Sequence, residues 1–206
     1  YVMENVLFKV SYPAEFHAQT AVEAAIKLHD EVKDRIDQID RIMIETTEPG
    51  VRIITKSGPL HNPADRDHCI QYMAAIGLLF GELNADHYED DVAADPRIDA
   101  IREQMQVVAN PSFSRDYLDP DKRSIANSIQ VFFHDGTSTE RVEVHYPLGH
   151  RRRREESYPA IDAKFRHNAG TRLSSQRVEQ LCELFGDAAK LDSMPVDQLV
   201  DQLAGS

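Results

Sequence analysis

The sequence predicts an α+β fold, in which a two-layer arrangement of a mixed β-sheet with helices on one face is followed by a C-terminal helical tail. Residues 6–12 alternate between apolar and polar types, which is typical of a strand, and the next segment changes to the spacing of an amphipathic helix. A β-branched run and a pair of alternating runs around a turn add further strands. From Pro159 onward the pattern is helical.

The first third of the chain is organised as strand, helix and strand. After the strand at 6–12, apolar residues recur every three to four positions over 20–34 and predict a helix. A second strand is expected at 39–47, and Pro49 and Gly50 are expected to end it in a turn. This order favours a βαβ unit or a split version of one.

Capping residues predict the next helix. Asn62 and Gly81 are typical caps for a helix over 63–80. His68 and Tyr72 are four residues apart, so we expect them to share one face of this helix.

The middle of the chain returns to the sheet. A helix is expected to begin at Pro96 and a short strand at 107–108. The segment 110–123 contains two prolines and is expected to be a long irregular loop. Alternating apolar residues on both sides of 135–136 predict a β-hairpin.

The tail is expected to hold three helices, at 159–169, 174–187 and 195–203, with Ser174 and Ser193 as N-terminal caps. Their apolar stripes are short, and such helices need a surface to pack on. We therefore expect a helical partner that this chain does not contain.

Composition limits the function classes. The 206 residues carry a net charge of −12, which argues against nucleic acid and anionic membrane as partners. No apolar run reaches the roughly 20 residues of a membrane helix. The two cysteines lie far apart, which fits free thiols in a reducing compartment and excludes an iron–sulfur cluster held by three or four cysteines of this chain. The start at Tyr1 suggests a fragment.

The junction between the first strand and the first helix, KVSYPAEFHAQ, concentrates reactive groups. Lys9, Glu15, His17 and Gln19 supply an amine, a carboxylic acid, an imidazole and an amide between two regular elements, where polar groups are held in place. Histidine can take and return a proton near neutral pH, whereas Lys9 and Gln19 are suited to bind substrate carboxylates. The alternative interpretation is an ordinary solvated connection.

Other chemistries have weaker support. Nine histidines occur without HExxH or a close His/Cys quartet, and glycine-rich phosphate loops and GxSxG are absent, so we expect no metal and no cofactor. His134 and His145 flank the hairpin turn and either face each other or are solvated. The arginines at 151–154 either bind a polyanionic substrate, with Arg151 as the candidate, or are solvated except for one or two that neutralise the acidic tail.

Four long runs, at 1–25, 58–81, 115–133 and 142–156, resemble the 2-methylcitrate dehydratase (MmgE/PrpD) family. The resemblance implies an all-helical domain and a smaller α+β lid domain with the active site in the cleft between them. Residues 1–156 would then be the lid, and 157–206 would be helices that pack on an N-terminal helical domain absent from this chain. It also suggests a homodimer.

The family resemblance implies a hydro-lyase that converts 2-methylcitrate, a small tricarboxylic acid, to 2-methyl-cis-aconitate in propionate breakdown by the methylcitrate cycle, without a metal. The expected location is the cytoplasm, or the mitochondrial matrix in a eukaryote. The alternatives are citrate dehydratase, cis-aconitate decarboxylase, and a non-catalytic binding module with the lid fold.

The resemblance also suggests residue roles. Related decarboxylases place a lysine and a histidine at the junction and a tyrosine on the next helix. Lys9 and Tyr72 are the matching positions, whereas either Glu15 or His17 takes the place of the junction histidine. His68 would orient Tyr72 or touch substrate.

Overall fold

The computed structural model describes residues 10–204, which divide into two compact units, one ending at Arg154 and the other beginning at Glu155. The described part of the first unit contains four strands and a set of helices between them. Its elements are α1 (Gln19–Val32), β1 (Ile39–Thr46), α2 (Glu48–Ile54), α3 (Pro63–Arg66), α4 (Ile70–Phe80), α5 (Asp90–Ala93), α6 (Pro96–Glu103), β2 (Met105–Ala109), α7 (Pro111–Leu118), β3 (Asn127–Phe133) and β4 (Val142–Val144).

The four strands form one mixed sheet in the order β2-β1-β3-β4. β1 pairs in parallel with β2, with Ile44 opposite Val107, and antiparallel with β3, with Ile42 opposite Val131. β3 and β4 form the antiparallel hairpin that the sequence predicts. The coarse expectation of a mixed sheet combined with helices is confirmed.

The core lies between one face of this sheet and two helices. α1 packs against β3, β4 and α4. Ile42 and Ile44 of β1 are fully buried and belong to the same apolar cluster as residues of α1 and α4. α1 and α4 approach closely at Gly77, where a Cβ atom would come within 2.8 Å of the Ala25 Cβ. Helix α4 is buried on nearly all sides because it lies at the centre of this cluster.

Two helices occupy segments that were expected to be turn or loop. Strand β1 ends at Thr46, before Pro49 and Gly50 as expected, but the sequence did not predict that Thr47 would cap helix α2 there. The expectation of an irregular loop over 110–123 was wrong, because Asn110 caps α7 inside it. Both helices accommodate a proline for the same reason. Each proline lies at the first or second helical position, where its missing N–H costs no hydrogen bond.

The helix expected over 63–80 is broken in two. Asn62 caps the short α3, the chain leaves helical geometry at 67–69, and α4 then begins at Ile70. Gly81 ends α4 in the left-handed conformation, as expected. The break places His68 outside the helix that carries Tyr72, so the expected shared face was wrong.

The strand expected at 6–12 is not seen where it can be checked. Residues 6–9 lie outside the described range, and residues 10–12 form bends and coil. The remaining expected strand boundaries agree with β1, β2 and β3 to within a few residues.

The second unit is helical throughout its regular structure. Within it, Phe165 and Phe185 stack edge to face, with their ring centroids 5.6 Å apart. Ser174 caps the second helix as predicted, whereas Ser193 ends the third helix, and Pro195 precedes the fourth. Its helices are α8 (Arg154–Gly170), α9 (Ser175–Phe185), α10 (Ala188–Ser193) and α11 (Val196–Leu203). Between residues 10 and 204, no helix has the length and hydropathy needed to cross a membrane.

Candidate active site

The junction before α1 is a tight, buried turn. A single turn of 3-10 helix, Phe16–Ala18, leads into α1, and Glu15 caps it by accepting a hydrogen bond of 2.6 Å from the backbone N–H of His17. The Gln19 side chain folds back and donates to the carbonyls of Tyr12 and Ala14, at 3.0 and 2.8 Å. Glu15 therefore fixes the backbone N–H of His17, and Gln19 ties the residues before the turn to the start of α1.

His17 itself is almost fully buried, with 4% of its surface exposed. Its ring packs beside that of Tyr117, with 5.3 Å between the centroids, and its carbonyl accepts a hydrogen bond of 2.8 Å from Asn127 Nδ2. Burial lowers the pKa of His17 below its ordinary value, although the nearby Glu15 carboxylate acts in the opposite direction. The imidazole is therefore neutral at neutral pH and can accept a proton.

The His17 ring keeps an uncommitted nitrogen. Its Nδ1 is buried and makes no hydrogen bond to any residue in the described range. Buried polar atoms are normally paired with protein or water, and unpaired ones often occur at functional sites. This nitrogen is available to a water, a substrate or a group outside the described residues.

His68 lies close to this junction. The backbone N–H of Glu15 donates to the Asp67 carbonyl at 3.3 Å, and the Asp67 carboxylate lies 2.5 Å from His68 Nδ1. The His68 side chain is half exposed. The break between α3 and α4 therefore brings Glu15 and the Asp67–His68 pair together, which spacing along a continuous helix did not predict.

Tyr72 has different neighbours. Its hydroxyl is buried and donates to the carbonyl of His87 at 2.6 Å, and its ring stacks on Tyr88 at 6.1 Å. Burial raises the pKa of Tyr72 to about 12. The residue lines a cavity of about 370 Å³ together with Arg66 and Arg102. Tyr72 and His17 therefore share none of these hydrogen-bond or ring partners.

The arginine run is engaged with the protein. Arg151 and Arg152 donate to the backbone carbonyl of Asp121, and Arg153 donates to Glu23 at 2.8 Å and to the Tyr146 carbonyl at 2.7 Å. Burial opposes ionisation of Glu23, but the hydrogen bonds from Arg153 and Lys27 outweigh it and lower the pKa of Glu23. Arg151 and Arg152 are exposed, whereas Arg153 is paired with the acidic Glu23, so part of the run is solvated and part of it neutralises an acidic group.

Three further residues were singled out in the sequence: Lys9, His134 and His145. Lys9 lies outside the described residues. His134 and His145 do not face each other: His134 lies 3.6 Å from Asp40, and His145 lies 2.6 Å from Glu143. In the range 10–204, no three His, Cys, Asp or Glu side chains gather as metal ligands.

Comparison with known proteins decides the family. A family model described as the MmgE/PrpD C-terminal domain matches residues 12–186. The chain belongs to the MmgE/PrpD family. The match covers the junction around His17, the break at His68 and the helix that carries Tyr72.

Several relatives of this chain are enzymes named 2-methylcitrate dehydratase. It is 51% identical to the one from Escherichia coli K12 over 98% of this chain and 42% of the relative. It is 53% identical to the one from Cupriavidus necator, over 99% and 43%, and 52% identical to the mitochondrial one from Yarrowia lipolytica, over 98% and 39%. The chain thus spans about two fifths of the length of these MmgE/PrpD relatives.

Sequence reasoning missed two buried polar residues beside the junction that carries His17. Asn127 and Thr20 are both fully buried, and Asn127 Nδ2 lies 2.6 Å from Thr20 Oγ1. One signal was available, since an asparagine at the start of an otherwise apolar strand is a polar group that must find partners inside the protein. The missing information was the partner, which lies 110 residues earlier in the sequence.

Proposed function

We propose that the full-length protein containing this chain dehydrates 2-methylcitrate to 2-methyl-cis-aconitate. The observation that carries this proposal is the identity of about half of all residues, across nearly the whole chain, to enzymes named 2-methylcitrate dehydratase. Identity at this level extends through the junction and the neighbouring helices. Because the chain spans only about two fifths of those relatives, the complete site requires residues beyond it.

The reaction needs a base and an acid. A proton is removed from the carbon next to a carboxylate, the electron pair forms the double bond, and the tertiary hydroxyl takes up a proton and leaves as water. A neutral His17 is suited to take the first proton, and Glu15, two residues away, to exchange a proton with it or with the leaving hydroxyl. The uncommitted Nδ1 of His17 supports this assignment.

Substrate binding requires cations and donors for three carboxylates. We assign Lys9 to one of them, on the strength of the family resemblance. Gln19 and Arg151 remain proposals for this role, and each already donates hydrogen bonds to backbone carbonyls. We assign His68 a contact with substrate, because its side chain is half exposed and it follows Asp67, whose carbonyl accepts the hydrogen bond from Glu15.

Tyr72 is given a structural role in this proposal. Its hydroxyl hydrogen is used in the bond to the His87 carbonyl, and the residue is 2% exposed. A buried, engaged hydroxyl would have to break that bond before it could assist a leaving oxygen.

The domain assignment is also a proposal. Residues 1–156 would form the lid domain, and residues 157–206 would pack on an all-helical domain formed by the preceding part of the full-length protein. Exposed apolar residues of α11 support this, because Val196 and Val200 are 76% and 55% exposed. An apolar helix face of this kind is stabilised when another element covers it. A homodimer and a location in the cytoplasm or the mitochondrial matrix follow from the family resemblance alone.

The test is a substrate comparison with the full-length protein. It is incubated separately with 2-methylcitrate, citrate and cis-aconitate, and both the unsaturated acid and carbon dioxide are measured. The proposal expects the unsaturated acid from 2-methylcitrate at the highest rate. Carbon dioxide from cis-aconitate would instead identify a decarboxylase, and no turnover of any of the three would favour a non-catalytic binding module.

A further inference from the structure

Asn127 is the first residue of β3, and its side chain is hydrogen-bonded to the junction that carries His17. Its side-chain nitrogen donates to the His17 carbonyl at 2.8 Å and to Thr20 Oγ1 at 2.6 Å, so both amide hydrogens are used. Thr20 in turn donates to the backbone carbonyl of Ile125. Three fully or nearly fully buried residues thus form a short chain of hydrogen bonds between β3 and the start of α1.

The placement of Asn127 carries a cost that its structural contacts do not remove. Its side-chain oxygen is buried and makes no hydrogen bond within residues 10–204, and the same is true of Thr46 Oγ1, at the end of the neighbouring strand. An apolar side chain of similar volume would avoid burying an unpaired amide oxygen. The hydrogen bonds that the amide makes therefore explain its presence better than its contribution to core packing does.

What it holds is the backbone of His17. The Glu15 carboxylate fixes the N–H of His17, and Asn127 fixes its carbonyl, so both polar groups of this one peptide segment are tied to buried partners. A side chain whose backbone is fixed on both sides and whose ring packs on Tyr117 has little freedom to turn.

We infer that Asn127 is a positioning residue that sets the orientation of the His17 imidazole for proton transfer. This inference rests on the proposed function, because it concerns the base of that reaction. Asn127 acts through His17 and touches no reacting atom in this account. Loss of such a supporting contact typically lowers activity by about 10- to 100-fold.

The test compares three variants of the full-length protein acting on 2-methylcitrate. Asn127→Ala removes the contact to His17, whereas Thr20→Val keeps side-chain shape and that contact but breaks the Asn127–Thr20 and Thr20–Ile125 bonds. Gln130→Ala is the matched control, since Gln130 is an amide on the same strand that donates to Thr139 instead. Each variant is measured for kcat, KM and the pH dependence of kcat/KM, with its thermal unfolding recorded alongside.

We expect Asn127→Ala to lower kcat by about 10- to 100-fold with little change in KM. We also expect the acidic limb of its pH profile to move to higher pH, because a loosened His17 gains contact with water. Thr20→Val and Gln130→Ala should keep the parental pH profile. A purely structural role would change Asn127→Ala and Thr20→Val alike and would leave the pH profile in place, which would overturn the inference.

Two further arms keep the outcomes separate. If Asn127→Ala does not fold, Asn127→Ser, which keeps a short donor, is measured in its place, and misfolding of both would show a structural role and overturn the inference. His17→Asn is assayed in parallel. If His17→Asn turns over 2-methylcitrate at a near-normal rate, His17 is not the base and that part of the proposed function is rejected. If His17→Asn loses turnover but Asn127→Ala keeps the parental kcat and pH profile, only the positioning role of Asn127 is rejected.

Discussion

The backbone N–H of Glu15 donates to the carbonyl of Asp67 across a distance of 3.3 Å, which joins the turn before α1 to the break between α3 and α4. This contact brings the segment that contains Glu15 and the buried His17 next to the segment that contains Asp67 and the half-exposed His68. Tyr72, the third residue of α4, directs its hydroxyl to His87 instead.

Tyr72→Phe should lower stability while leaving chemistry largely intact. The hydroxyl donates to the His87 carbonyl inside the core, so its removal should lower the free energy of unfolding by about 1–2 kcal/mol. Urea unfolding measures the stability, and the turnover of 2-methylcitrate by the full-length protein measures the chemistry. A folded variant that turns over about 100-fold more slowly than the parent, or slower still, would return Tyr72 to the catalytic residues that the sequence suggested.

Glu23→Gln should destabilise the chain more than Lys27→Ala does. Glu23 accepts hydrogen bonds from Arg153 and Lys27, and the side chains of Glu23 and Arg153 are only 11% and 19% exposed. Replacing the carboxylate by a neutral amide removes the charge that attracts both Arg153 and Lys27, which should cost about 1–3 kcal/mol. Lys27 is half exposed, and its loss should cost less than about 1 kcal/mol. Equal effects in urea unfolding would show that the Glu23–Arg153 pair adds nothing.

Gly81→Ala and Gly136→Ala form a matched pair. Both glycines have positive φ, at 71° and 83°, so alanine is strained at either position by about 1 kcal/mol. A Cβ on Gly81 would also come within 2.8 Å of the His29 ring, whereas one on Gly136 meets nothing within 4 Å. We expect Gly81→Ala to lose about 1–2 kcal/mol more than Gly136→Ala does. Similar losses in thermal unfolding would mean that His29 moves aside freely.

Stability should fall as the pH is lowered through the range set by His150. Burial lowers the pKa of His150 to about 4, and the charges of Arg151 and Arg152 act in the same direction. Between the ordinary value of about 6.5 and this value the unfolded chain binds a proton that the folded chain does not, so the folded state loses stability as pH falls. The ring also accepts a hydrogen bond from the Arg152 N–H at 3.2 Å, which a protonated Nδ1 could not do.

The measurement is urea unfolding at pH 7 and pH 4.5. We expect the free energy of unfolding to fall by about 1–3 kcal/mol more in the parent than in His150→Asn, which keeps an acceptor but does not titrate. His61→Asn serves as the control, because His61 is exposed. If the stability of His150→Asn depends on pH as strongly as that of the parent, His150 is not the source of the pH dependence. The buried His17, whose pKa is also lowered, would then be the next histidine to test.

The sequence predicted what depends on local patterns and missed what depends on long-range contacts. The strands β1, β2 and β3 and the caps Asn62 and Gly81 follow from residue spacing and backbone preference. The break at 67–69 does not, because a continuous helix and two short ones have the same apolar pattern there. Helix α7 was predictable in principle, since Asn110 followed by Pro111 repeats the Asn62–Pro63 signal.

The candidate site stays a prediction. The junction at Glu15 and His17 was proposed from its polar residues and its position before a helix. Asn127 was not predicted, because its hydrogen bond to the His17 carbonyl joins residues that are far apart in sequence and meet only in the folded protein. The contacts of Arg153 with Glu23 and Tyr146 were not predicted either, because nothing in a run of four arginines shows which of them meets a partner in the folded protein.

The most direct test of this account is the rate of 2-methylcitrate dehydration by His17→Asn in the full-length protein, followed as formation of the unsaturated acid. The substitution keeps a buried polar side chain and removes the imidazole that we propose takes the proton. We expect kcat to fall by roughly 10²- to 10⁴-fold while the thermal unfolding midpoint stays close to that of the parent. A folded His17→Asn variant that dehydrates 2-methylcitrate at the parental rate would contradict the central claim that the buried imidazole of this junction is the base of the reaction.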